Sequence, residues 1–312
     1  MNDFAKYLLE SGLAPACFEA EGIADDAAYL AGMAKTFPDK AWFVRYAPRD
    51  VRLVVDFGGG TGDFCEYVRG RMPAGVQFAV IDNNPSFLAR AEEKGLLGYS
   101  SIEEYEVEAA AAQREGRSLL VMSSVIHEVY SYSDEFYDDV GQFWDSLGGC
   151  GFDYVAIRDM AFDEEAAARM PREDAAWVCR NLLGNPESGL SVKGRAVSDQ
   201  FADFEGVWGP VCGPDGSVDA RRLMHFLFKY RYVENWAREL REDYLPLTQG
   251  ELEAALRGIG YRLVHREQSR LHWYMKTWAA ELGLGPGCAA PAARFAKWLA
   301  GVATHIKWLA AR

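Results

Sequence analysis

From residue 56 to residue 62 the chain reads Asp-Phe-Gly-Gly-Gly-Thr-Gly, a carboxylate with glycines at Gly58, Gly60 and Gly62 on alternate positions after it. A backbone without Cβ can take positive φ and approach a ligand closely, so such a loop suits a nucleotide-like molecule. Asp63 stands where the dinucleotide fingerprint G-x-G-x-x-G needs its third glycine, and that reading fails on spacing. Farther along, Asp82 closes a second apolar run; a carboxylate there can accept two ribose hydroxyls. A third cluster is "HEVYSY", where His127, with an ordinary pKa of about 6.5, is suited to remove a proton near neutrality. Glu128 and Tyr130 could orient an amine or a hydroxyl, and Asp159 ends a neighbouring apolar run. The cluster lacks the second histidine of H-E-x-x-H, which excludes a zinc protease, and no other metal site is expected.

The elements around these residues follow from periodicity. Val51, Leu53, Val54 and Val55 form a buried strand, and Phe64, Tyr67, Val68 and Met72 recur at helical spacing, which puts the glycines in a tight strand-to-helix turn. Phe78 to Ile81 make a second strand. Asn84 and Pro85 then cap a helix that Gly95 stops. Leu119 to Val125 form a third strand, Phe136, Val140, Phe143, Trp144 and Leu147 a helical stripe, and "DYVAIRDM" a fourth strand. Thr248 and Glu251 predict a capping box for "QGELEAALRGIG", and "YRLVHRE" with "HWYMKTW" predict a closing hairpin.

Strand, D-x-G-x-G-x-G loop, helix, strand, acid: this order resembles the class I S-adenosylmethionine-dependent methyltransferases, over roughly residues 50 to 160 and 247 to 280. The resemblance implies an α/β fold with a doubly wound, mostly parallel seven-stranded sheet, carrying a largely helical insertion after the fourth core strand. It implies S-adenosylmethionine as cofactor, with Asp56, Gly58, Gly60 and Gly62 at its amino-acid end, Asp82 on the ribose and Asn83 beside the adenine. Ser123, at the end of the third strand, joins this expected set. "HEVYSY" falls where the family faces the methyl group and its acceptor, so His127, Glu128, Tyr130 and Asp159 are the expected catalytic residues. The family's strand near the adenine has only Ser100, Ser101 and Glu103 as candidates, in a stretch poor in apolar alternation.

The predicted organisation is an N-terminal helical segment or lid over 1–50, a core over 51–160 and 247–280, an inserted acceptor-binding cap over 161–246, and a linker with a C-terminal amphipathic helix over 281–312. In the cap, Leu223, Phe226, Leu227, Tyr230, Val233, Ala237 and Leu240 share one face of a single long helix. His225, Lys229, Tyr232 and Trp236 lie to another side, either as the solvated back of a core helix or as an acceptor-binding wall. In the C-terminal helix, Phe295, Trp298, Leu299, Val302, Ile306 and Leu309 align, with Arg294, Lys297, Lys307 and Arg312 around them; such a basic amphipathic face can lie on a membrane surface or, more commonly, packs on this chain or on a second copy as a homodimer.

A formal charge of −13 over 312 residues disfavours polyphosphate partners and points to a small-molecule acceptor. Six cysteines without a C-x-x-C pair, no long apolar segment and no secretory leader lead to a cytoplasmic expectation. His127 favours oxygen slightly over nitrogen as the methylated atom. Two alternatives stay open: an RNA methyltransferase with Arg222, Lys229 and Arg231 on phosphates, and a non-catalytic cofactor-binding regulator.

Overall fold

The computed structural model describes residues 34–111, 116–132 and 140–312. The first 33 residues of the expected N-terminal lid, and Phe136 of the helical stripe, lie outside them. Among the described residues the chain divides into two units, one built of residues 34 to 160 with Gly250–Ser269 and His305–Arg312, the other of Ala161–Gln249 with Arg270–Thr304.

The first unit holds the large sheet. Its strands are β1 (Val51–Phe57), β2 (Gln77–Ile81), β3 (Leu97–Tyr99), β4 (Arg117–Ser123) and β5 (Tyr154–Asp159). A two-residue hairpin, β6 (Ser191–Val192) and β7 (Arg195–Ala196), belongs to the other unit, and β8 (Arg262–Ser269) and β9 (His305–Ala311) complete the sheet. The order is β3-β2-β1-β4-β5-β9-β8, with β1 to β5 parallel and β9 antiparallel to both neighbours. This is the doubly wound, mostly parallel seven-stranded sheet that the resemblance implies, and it includes the short β3 that the sequence hardly signals. Strand order reverses outward from β1 and β4, so their carboxyl ends open the crevice where such sheets bind ligands.

Why these residues make this sheet is a matter of burial. Val54, Val55, Leu119 to Met122 and Val155 to Ile157 are all buried, as strands covered on both faces must be. Phe64, Cys65 and Val68 of the helix Asp63–Arg69 pack on one face with Trp42 and Phe43 from the segment before β1. Asn84 caps the helix Pro85–Glu93 as expected, its side chain accepting from the N–H groups of Ser86 and Phe87.

Two expectations about the C-terminal third are corrected. "HWYMKTW" is the helix His272–Glu281, not a strand: Tyr274 and Trp278, four residues apart, are buried on one side, and the Trp278 indole N–H donates to the Leu227 carbonyl at 2.9 Å. The hairpin partner of β8 is β9, the very end of the chain. Consequently the predicted C-terminal helix stops at Leu299, and Ile306 and Leu309 lie in a strand between β5 and β8. A short continuous apolar run fits a buried strand as well as a helix, and the sheet's need for a partner at β5 decides between them. The helix Ala290–Leu299 buries Ala292, Phe295 and Leu299 within its own unit, where it packs on the helix Arg172–Val178 and Arg294 pairs with Asp174. The face expected to mediate a homodimer is therefore already covered.

The second unit is mostly helical, as expected of the insertion, and includes residues 270–304, which the sequence reading divided between the core and the C-terminal segment. The predicted long helix is broken into Ala220–Lys229 and Trp236–Arg241, joined by a short 3-10 turn at Val233–Asn235. Among the described residues no helix is long and apolar enough to cross a membrane.

Candidate functional site

The glycine loop leaves β1 with three left-handed backbones, φ being 70° at Gly58, 55° at Gly60 and 74° at Gly62. Two of them also need the missing side chain for space. A Cβ on Gly58 would lie 2.8 Å from Val125, and one on Gly62 would overlap Leu96. The Gly58 N–H donates to the Ile81 carbonyl at 2.8 Å, tying the loop to the end of β2. There the Gly60 N–H donates to Asp82 at 2.8 Å, while the other carboxylate oxygen accepts from Asn84 N–H at 2.9 Å. Burial raises the Asp82 pKa, and these two N–H groups oppose the shift. Asn83 follows it as an exposed turn residue. Loop and acid, read separately in the sequence, are thus one hydrogen-bonded unit.

At the end of β4 the chain turns through Ser124, whose φ of 59° is unfavourable for a residue with Cβ by roughly 1–2 kcal/mol. The turn is held by its neighbour strand: Ser124 N–H donates to the Arg158 carbonyl, and the Arg158 guanidinium donates to Ser124 Oγ, each at 2.7 Å. Strain of this kind collects at functional sites. Just before it, the Ser123 hydroxyl oxygen is buried with no hydrogen-bond partner among the described residues. Just after it begins the helix Ile126–Ser131, which carries His127, Glu128 and Tyr130.

His127 and Asp159 meet, with Nδ1 and Oδ1 2.8 Å apart and both side chains buried. The Asp159 carboxylate also accepts from the N–H groups of Val125 at 3.0 Å, Ile126 at 2.7 Å and Met160 at 2.8 Å. Burial alone would raise its pKa, but the His127 contact and these N–H groups outweigh it and hold the carboxyl below its usual range. An ionised carboxylate only accepts, so His127 Nδ1 carries the proton shared with Asp159. Tyr130 accepts from the Trp144 indole N–H at 2.9 Å, and burial raises its pKa. Of the four expected catalytic residues, the structure joins two into a dyad.

The sequence reading missed the charged groups that come up against these strand ends. Asp39 and Lys40 close the short helix Phe37–Lys40, an ionic pair of letters inside the apolar run "FPDKAWFV" and the one signal that could have exposed them. Asp39 accepts from Arg158 of β5 and from Lys307 of β9, both at 2.6 Å. His305, at the start of β9, is fully buried, and burial together with the cations Arg158 and Lys307 pushes its pKa well down. Lys40 is 8% exposed and Asp56, at the end of β1, 5%. Burial pushes Asp56 up to about 7, which the Lys40 charge only partly offsets.

The four residues expected to bind the acceptor lie in the helical unit. His225, Lys229 and Trp236 are buried there rather than forming an open wall. Lys229 donates to the carbonyls of Glu239 and Glu242, His225 Nε2 lies 3.0 Å from the Glu242 carbonyl, and Trp236 donates to Asp203 at 3.1 Å. Tyr232 alone is exposed, at 36%. Of the cations of the RNA alternative, Lys229 is buried, while Arg222 and Arg231 keep partly exposed side chains paired with Asp219 and Glu281.

Do the residues of the sheet unit fit S-adenosylmethionine? The open space beside Gly60, where a Cβ would meet only Phe87 at 3.9 Å, the Ser123 hydroxyl without a partner among the described residues and an aspartate pinned at the end of β2 are what a nucleoside ligand at this loop needs, and they fit. No protein-family model and no curated protein matches the chain. Among solved structures, it is similar to an S-adenosylmethionine-dependent methyltransferase from Mesorhizobium loti, with 13% identity, 89% of this chain and 97% of that chain covered, and a TM-score of 0.43. The pyocyanin biosynthetic protein PhzM matches at 12% identity over 99% of this chain and 67% of that one, with a TM-score of 0.47. The plantazolicin methyltransferase BamL matches at 9% identity over 99% and 96%, with a TM-score of 0.44. One fold hosts many activities, so function has to be argued from the site itself.

Proposed function

We propose that this chain is an S-adenosylmethionine-dependent methyltransferase whose acceptor is a hydroxyl group on a small molecule. The observation that carries the reading is the pairing, on one sheet edge, of the Gly60–Asp82 hydrogen bond with the buried His127–Asp159 dyad. Gly58, Gly60 and Gly62 give the cofactor a close backbone, Asp82 accepts the ribose hydroxyls, and Asn83 and Ser123 flank it. Bound S-adenosylmethionine supplies an electrophilic methyl group on a sulfonium. Asp159 fixes the His127 tautomer and stabilises the ring once protonated, and Nε2 takes the proton of the acceptor hydroxyl as the oxygen gains its methyl group. Alignment of acceptor and methyl group supplies much of the rate. A regulator that only bound the cofactor would have no use for the dyad.

The test is incubation with methyl-labelled cofactor and a fractionated cell extract. Label is expected in small metabolites carrying hydroxyl groups. Label confined to RNA would overturn the acceptor class, and label in no fraction would favour the regulator.

A further inference from the structure

Lys40 is a buried ammonium group for which the proposed reaction has no role. It makes no hydrogen bond and no ion pair with any described residue, although it is nine-tenths buried. Burial lowers its pKa; the largest compensating influence is the charge of Asp56, and Arg158, Glu128 and Asp159 also act on it. These four neighbours stand at the ends of β1, β4 and β5 or just beyond them, so the ammonium lies over the crevice edge of the sheet. The Asp56 carboxylate is a second such group: it has no hydrogen-bond partner among the described residues, and a Cβ on Gly59 would come within 2.9 Å of its Oδ2, which places the carboxylate against the glycine loop. The two groups attract each other electrostatically but are too far apart to form an ion pair.

A buried cation left unpaired is costly, and proteins pair such groups or give them a ligand. Here a carboxylate lies against the glycine loop and a cation acts on it from across the strand ends, the two making no ion pair. Their complement is a group bearing a carboxylate and an ammonium a few atoms apart. We propose that Lys40 is a binding residue for the carboxylate of an α-amino acid group, the methionyl end of the cofactor, with Asp56 facing the ammonium of the same group. The inference rests on the cofactor reading above and deepens it: a helix outside the loop motif, which sequence alone left in the N-terminal segment, sets which end of the cofactor is held.

The experiment is calorimetric titration of the full chain, and of Lys40→Met and Lys40→Arg, with three ligands: S-adenosylhomocysteine, its carboxamide analogue and 5′-methylthioadenosine, which has the nucleoside and sulfur but no amino-acid end. S-adenosylhomocysteine is expected to bind Lys40→Met about ten- to a hundredfold more weakly than the parent, as loss of a hydrogen bond to a charged group requires, while Lys40→Arg keeps most of the affinity. Methylthioadenosine is expected to bind parent and Lys40→Met alike, and the carboxamide to bind the parent as weakly as the carboxylate binds Lys40→Met. Equal weakening of all three ligands in Lys40→Met would overturn the proposal in favour of a structural lysine. Unchanged S-adenosylhomocysteine affinity would overturn it too. The carboxamide comparison needs only the parent protein, so a misfolded variant leaves the proposal testable, and equal affinity for amide and acid refutes it. Should the parent bind none of the three, the cofactor reading itself falls and takes the Lys40 assignment with it.

Discussion

Each unit of this protein buries a lysine near acidic side chains, Lys40 in one and Lys229 in the other, and the two are treated in opposite ways. In the helical unit, Lys229 is fully buried, yet it donates to two main-chain carbonyls at the end of the helix Trp236–Arg241 and lies near the rings of Trp208 and Tyr244. In the sheet unit, Lys40 is almost as buried and donates to nothing described. Residue type and burial are therefore poor guides to function; the state of the hydrogen bonds separates them. A satisfied buried charge is architecture, and an unsatisfied one at a strand edge points to a ligand.

The largest effect expected from breaking this contrast is at the dyad. His127→Gln should slow methyl transfer by about 10²- to 10⁴-fold while cofactor affinity, measured by titration, stays within experimental scatter. A loss below tenfold would reassign His127 to support of the helix that bears it. Asp82→Ala comes next: it should weaken S-adenosylhomocysteine binding more than it shifts the melting temperature, because the Gly60 N–H bond is part of the ligand platform.

The lysines themselves give the third test. Lys229→Met leaves two carbonyls unpaired and should destabilise the fold by roughly 2–6 kcal/mol, at about 1–3 for each orphaned group. Lys40→Met removes an unpaired charge and should melt no lower than the parent. Equal melting losses would erase the distinction between the regions.

The smallest effect is a pair of pH dependences of opposite sign, at Asp56 and at Lys229. Asp56, at about 7 in the folded protein against 3.8 when free, binds more protons folded than unfolded. Its contribution to stability is fully present below its unfolded pKa and is lost as pH rises toward and through 7. Glu239, in the helical unit and raised to about 7 first by burial and then by Glu242, acts in the same window, so Asp56→Asn should remove only part of that slope. Lys229, lowered by burial to about 8 from 10.5, contributes stability that is present above its unfolded pKa and is lost as pH falls through 8. Denaturant midpoints followed from pH 4 to 11 would show both limbs, and a profile of Asp56→Asn parallel to the parent between pH 4 and 7 would contradict the burial of Asp56.

Local chemistry sufficed for part of this picture. The glycine spacing, the apolar strands on either side of it and the capped helix after Asn84 depend on interactions within a few residues, and the chain states them directly: φ above zero requires Gly58 and Gly62, and Asn84 accepts from its own helix. Tertiary structure decided the remainder. The order Ile306 to Leu309 fits a helix until β5 needs an antiparallel partner, and "HWYMKTW" fits a strand until Tyr274 and Trp278 find a common core. The same holds for the charges. Asp159 and His127 are 32 positions apart and Lys307 and Asp39 are 268 apart, so neither pair can be read before the sheet brings its strand ends together. Burial, which makes Lys40 an orphan and Asp56 a weak acid, is a property of the folded neighbourhood: desolvation depends on every atom that excludes water, and the sequence lists those atoms without placing them.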